Sequence, residues 1–91
     1  MPEPQTLYDH LQPMELSRVT HKIGAAVLQF CRTVRVGNTF RMESLQRYVS
    51  SVVPETAPDS PSRILRELRK KGELDYEVVK RSESLYRVTR V

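Results

Sequence analysis

The sequence predicts an α+β fold in which a three-helix bundle carries one short strand and a C-terminal β-hairpin. Three observations carry this. From Leu16 the apolar residues recur at three-and-four spacing; Ser60-Pro61 and Gly72 bracket a basic helix; and two alternating runs, Leu74–Val78 and Leu85–Thr89, follow it. Ninety-one residues suffice for one modest core and leave no room for a second domain or a deep substrate cavity.

Residues 1–15 are expected to be a largely irregular arm, because Met1–Pro13 holds three of the six prolines; one short helical turn is expected around Leu7–Leu11. The folded domain is expected over 16–91. Its first helix presents Leu16, Val19, Ile23, Ala26, Val27, Phe30, Cys31 and Val34 to a core. Gly24 lies within it, as a point of close helix approach or a tolerated flaw. Gly37-Asn38 breaks the helix, and Thr39-Phe40-Arg41-Met42 alternates as a short strand should. A second helix is expected from Glu43 to Val52, with Leu45, Tyr48, Val49 and Val52 inward and Arg47 and Ser51 outward. Pro54 and Pro58 hold the next connection extended.

The third helix has the clearest start, since Ser60 can accept a backbone N–H as N-cap and Pro61 suits the first helical position. Gly72 is the matching stop. Ile64, Leu65 and Leu68 form its inward stripe, which spreads Ser62, Arg63, Arg66, Arg69 and Lys70 over the other faces. The hairpin strands are joined by the polar turn 79–84, Val79-Lys80-Arg81-Ser82-Glu83-Ser84.

Charge is distributed unevenly. Residues 62–91 contain nine Lys or Arg against five acids, whereas residues 1–61 contain six of each, so the whole net charge of +4 falls on the third helix and the hairpin. A one-sided field of that sign concentrates a polyanion, nucleic acid first and anionic membrane second. Membrane-surface binding needs an exposed apolar helix face, and here the core claims that face. The single Cys31 forbids an internal disulfide or a multi-cysteine zinc site and fits a reducing compartment. With no leader-like start and no apolar span, the expected location is cytoplasmic (nucleoid) or nuclear, not secreted.

Catalysis finds little support. His10 and His21 have no ligand-type neighbours at metal spacing, Asp75 and Glu77 sit among Lys and Arg, and the three glycines are too scattered for a phosphate loop. No enzyme activity, cofactor or metal is expected. The aromatics Phe30, Phe40, Tyr48, Tyr76 and Tyr86 fall at inward positions and read as core in preference to a stacking platform for single strands.

The order helix, short strand, helix, helix, hairpin resembles the winged helix-turn-helix DNA-binding family over roughly residues 20–91. Phe40 with Leu45, Tyr48 and Val49 look like the family's short strand and second helix; Ser62-Arg63-Ile64-Leu65-Arg66-Glu67-Leu68 looks like its recognition helix; Gly72-Glu73-Leu74 looks like the opening of its wing. The connection over 53–59 is longer than the tight turn of the simplest members, and Arg41 stands where a Ser or Thr cap is usual. Winged helices with such long turns also occur as accessory modules fused to nucleases.

The resemblance implies a sequence-specific double-stranded DNA-binding protein, a small transcriptional regulator that reads the major groove with helix 60–71 and touches backbone with the 79–84 wing. The candidate DNA-binding residues are Ser60, Ser62, Arg63, Arg66, Arg69 and Lys70 on the helix, Lys80 and Arg81 on the wing, and Arg41 and Arg47 flanking the second helix. Arginine suits guanine because its fork donates to O6 and N7 together. Ser60 serves as a cap first, although N–H groups beside it suit a phosphate. A homodimer through the arm and first helix would match a two-half-site target. The rival reading is a protein-docking module or inhibitor of the same fold acting within a nucleic-acid-processing complex, which would expose an apolar patch.

Overall fold

The computed structural model describes the backbone of residues 3–91 and the side chains from Arg18 onward. Its architecture is α+β: three helices and one three-stranded antiparallel sheet whose hairpin closes the C-terminus. Helix α1 spans Glu3–Val34, β1 Thr39–Arg41, α2 Met42–Val52, α3 Ser60–Lys70, β2 Asp75–Lys80 and β3 Leu85–Arg90.

Helix α1 begins at Glu3, so residues 3–15 of the expected irregular arm are helical, while its residues 1 and 2 lie outside the described residues. Pro4 lies in the first turn, where its missing N–H has no intrahelical partner to lose, and no glycine interrupts the chain before Gly24. Pro13 then removes one backbone hydrogen bond from a 32-residue helix, a local loss the remaining turns outlast. Further along, Ile23, Ala26, Val27 and Cys31 are buried as their spacing requires. A Cβ on the buried Gly24 would meet Ile64 Cγ2 at 3.9 Å, an ordinary contact, so this glycine is a tolerated residue and not a forced close approach. The helix ends in a turn with Arg35 and Gly37 at φ of 77° and 92°, and Asn38 Nδ2 donates to the Val34 carbonyl at 2.7 Å.

In α2 the buried positions are Met42, Leu45 and Val49, continued by Val53 just past the helix end. Val52, expected inward, is 52% exposed. The 42, 45, 49, 53 spacing keeps one face on the core, and residue 52 sits about 100° away from 53 around the axis.

Ser60 is not the cap of α3. The Arg63 N–H donates to the Asp59 carbonyl at 3.3 Å, which makes Asp59 the N-cap, without a side-chain cap bond. Ser60 falls inside the first turn and is 4% exposed. The stop is as expected: Gly72 takes φ of 81°, Glu73 N–H reaches the Leu68 carbonyl at 3.0 Å, and Gly72 N–H reaches the Arg69 carbonyl at 3.1 Å. This paired pattern closes a helix C-terminus on a left-handed residue that glycine adopts without steric cost.

The sheet order is β1-β3-β2. Phe40 lies opposite Tyr86, Tyr76 opposite Val88 and Val78 opposite Tyr86, so one sheet face turns Phe40, Tyr76, Tyr86 and Val88 toward the helices. Their rings form a chain, Phe30 to Phe40 at 5.4 Å, Phe40 to Tyr86 at 5.6 Å and Tyr86 to Tyr76 at 5.5 Å between centroids. These aromatics are core, as read from the sequence. The hairpin turn is tighter than expected, because β2 runs to Lys80, Arg81–Glu83 make one 3₁₀ turn and Ser84 reverses the chain at φ of 49°.

Candidate nucleic-acid interface

Helix α3 spends Pro61, Ile64, Leu65 and Leu68 on the core, which fixes the direction of every other side chain. At about 100° per residue, Ser62, Arg66 and Arg69 turn toward the hairpin, Arg63 and Lys70 ride the crest, and Glu67 and Lys71 turn toward α1. The structure agrees. Arg66, Arg69 and Lys70 line one side of an open groove of about 550 Å³, and Tyr76, Val78, Arg81 and Tyr86 of the hairpin line the other. Ser62 and Arg66 border an adjoining recess with Met42, Leu65 and Ser84. Glu67 and Lys71 instead border a depression against Thr20, His21 and Leu28 of α1.

The ten candidate residues therefore separate. Arg66, Lys70 and Arg81 are exposed, share the groove and make no ion pair among the described residues. Arg63 is exposed on the crest, where its Nη2 leans 3.4 Å from the Ser60 hydroxyl oxygen, too long to hold it firmly. Ser62 Oγ donates to the Asp59 carbonyl at 3.1 Å. Ser60 is buried against the core and presents no side chain to a ligand.

The other four are engaged. Arg69 Nε pairs with Asp75 at 3.0 Å while its guanidinium carbon stands 4.8 Å over the centre of the Tyr76 ring, so it braces α3 against the start of β2. Arg41 and Lys80 both pair with Glu83, at 2.9 and 2.6 Å. Arg47 pairs with Glu43 one turn back on α2 at 3.0 Å and takes no part in the groove.

Sequence reasoning missed three features of the site, two in the groove and one beside it. Tyr76 and Tyr86 belong to the core yet also floor the groove, and Val78, 43% exposed, gives that floor an apolar patch. Period-two alternation puts residues 76 and 78 on one face, a signal sufficient to find them once α3 is known to lie over that face. Glu83 is the third. Its lysine is three residues away, but its arginine is 42 residues away and only the β1–β3 pairing brings it near.

Cys31 is 1% exposed, and burial pushes its thiol up to about 11, which keeps it protonated and inert at neutral pH. Among the described residues no group of three His, Cys, Asp or Glu side chains is placed to hold a metal ion, and no helix is long and apolar enough to cross a membrane. Compared with family models, curated proteins and solved structures, the chain finds no match.

Proposed function

We propose that the chain is a winged-helix module that binds double-stranded DNA, with α3 laid in the major groove and the hairpin against the backbone. The observation that carries this reading is the convergence of Arg66, Lys70 and Arg81, three cations without acidic partners among the described residues, on one groove between the helix and the hairpin. Structural ion pairs exist to satisfy charge within a fold, and unpaired cations gathered from two elements serve an external polyanion better. Arg63 and Arg66, three residues apart on the helix surface, are the base readers in this reading, and Lys70 and Arg81 take phosphates. Sequence-specific binding in a small transcriptional regulator follows if the arginines reach guanine edges. A homodimer through the N-terminal part of α1 would double the site.

The test is fluorescence anisotropy of a labelled duplex at two salt concentrations. Each neutralised phosphate contributes a slope of roughly −0.9 in log K against log salt. Binding that weakens steeply with salt, and a loss of roughly 2–6 kcal/mol in R63A/R66A on a selected site, is the expected result. No binding at low salt would overturn the reading.

A second reading has its own observation. Val78, exposed beside the half-buried Tyr86, gives the groove an apolar floor that suits an acidic peptide with a hydrophobic anchor, and so a docking module in a nucleic-acid-processing complex.

A further inference from the structure

The wing turn holds a small charge arrangement that the groove does not explain. Arg41 closes β1, Lys80 closes β2, and both lie opposite Leu85, the first residue of the central strand. The sheet thus brings two cations together across β3, although 39 positions separate them in the chain. Glu83, between them in the 3₁₀ turn, gives one carboxylate oxygen to each: Arg41 Nη2 donates to Oε1 at 2.9 Å and Lys80 Nζ stands in an ion pair 2.6 Å from Oε2. The turn is held in place independently, because the Met42 N–H donates to the Ser84 carbonyl at 3.0 Å and Ser84 N–H to the Arg81 carbonyl at 3.0 Å.

Two cations converging on the two oxygens of one anion are also what a backbone phosphodiester needs. Both cation side chains are 59% exposed and the Glu83 side chain 37%, so water competes for the pair and a carboxylate held there exchanges readily. The position fits as well. Ser84 and Met42 border the recess that also contains Ser62 and Arg66, and Arg81 of the same turn lines the main groove, so a duplex engaged by α3 carries its backbone past this turn.

We infer that Arg41 and Lys80 form a seat for one DNA backbone phosphate, and that Glu83 occupies it in the unbound protein as an intramolecular stand-in that the phosphate displaces. The inference rests on the DNA reading above. Glu83 is then a gate on affinity: it cancels cations that would otherwise attract any polyanion, and only a duplex already held by α3 dislodges it. Non-specific binding is suppressed more than specific binding.

The experiment is a coupled set of titrations with a random-sequence duplex, using the whole chain with Glu83→Gln, Arg41→Ala/Lys80→Ala and the triple combination. Glu77→Gln is the control; its carboxylate pairs with Arg87 on the sheet face away from the groove and carries the same charge. Glu83→Gln is expected to tighten binding about tenfold at low salt and to steepen the salt slope by about 1, as one further phosphate is neutralised. Glu77→Gln is expected to tighten it less than threefold, and Glu83→Gln to do no more than that once Arg41 and Lys80 are gone. Equal effects of Glu83→Gln with and without the two cations, or equal effects of the two glutamate changes, would overturn the gate. A Lys70→Ala/Arg81→Ala variant separates the two readings: if it weakens binding while Glu83→Gln changes nothing, the gate fails and the DNA reading stands. If neither wild type nor Glu83→Gln binds at low salt, both fail. Unchanged far-UV circular dichroism and thermal midpoint of each variant show that the fold persists.

Discussion

Helices α2 and α3 are both eleven residues long and both turn one face to the same core, yet they treat their outward charge in opposite ways. On α2, Arg47 finds Glu43 one turn earlier, and the arginine before the helix finds Glu83. On α3, four cations face outward and, among the described residues, Arg69 alone has an acidic partner. A count of basic residues therefore overstates the charge that a ligand meets. Within the groove between α3 and the hairpin, the available positive field comes from Arg66, Lys70 and Arg81, while Arg69 beside them is spent on an internal pair.

The largest effect should come from removing that field. Arg66→Ala, Lys70→Ala and Arg81→Ala together should weaken duplex binding at least a hundredfold and, with two phosphate ligands lost, make the salt slope shallower by about 2, read by anisotropy across a salt series. Binding that survives with its slope intact would move the interface elsewhere and erase the contrast between the helices.

Much of this arrangement was legible before the fold was known. The inward stripes of α1 and α3, the Gly72 stop, both hairpin strands and the basic face of α3 follow from periodicity and turn chemistry, which act over a few residues. The failures share a different cause. Ser60 looked like the cap, but Asp59 just before it is an equally suitable N-cap residue, and the helix starts one residue earlier with Ser60 and Pro61 buried in its first turn. Val52 yielded its inward place to Val53 because the end of α2 is set by its packing and not by its own sequence. The neutralisation of Arg41 was invisible because Glu83 lies 42 residues away, across a strand pairing that no local pattern announces.

Gly72→Ala attacks the end of α3, not its charge. At φ of 81° a Cβ is strained even though no atom lies within 4 Å of its position, so the cost should be about 1–2 kcal/mol in urea unfolding. The groove should widen as the helix end frays, and DNA affinity should fall while the salt slope stays put. A neutral result would mean that the bonds from Gly72 and Glu73 do not hold the helix end.

Arg69→Ala should be milder. Its pair with Asp75 is half exposed and its contact with Tyr76 is a cation–π of ordinary separation, so together they contribute about 1 kcal/mol to stability. Because the guanidinium is already committed within the fold, its removal should weaken DNA binding a few-fold with no change in the number of phosphates released. A shallower slope would instead place Arg69 on the DNA, beside Arg66.

Arg47→Ala is expected to do least, and for that reason it tests the contrast most sharply. Its side chain is 75% exposed and paired to a neighbour in an i,i+4 arrangement that contributes about 0.3–0.5 kcal/mol to a helix, so urea unfolding should move by no more than that. Glu43 loses its partner but stays in the first turn of α2, where the helix dipole favours a carboxylate, which offsets part of the loss. Duplex affinity should stay within twofold and the salt slope should not change, because Arg47 lies outside the groove. A loss comparable to that of Lys70→Ala would show that α2 also touches the backbone, and the DNA path would then cross both helices instead of following α3 and the hairpin.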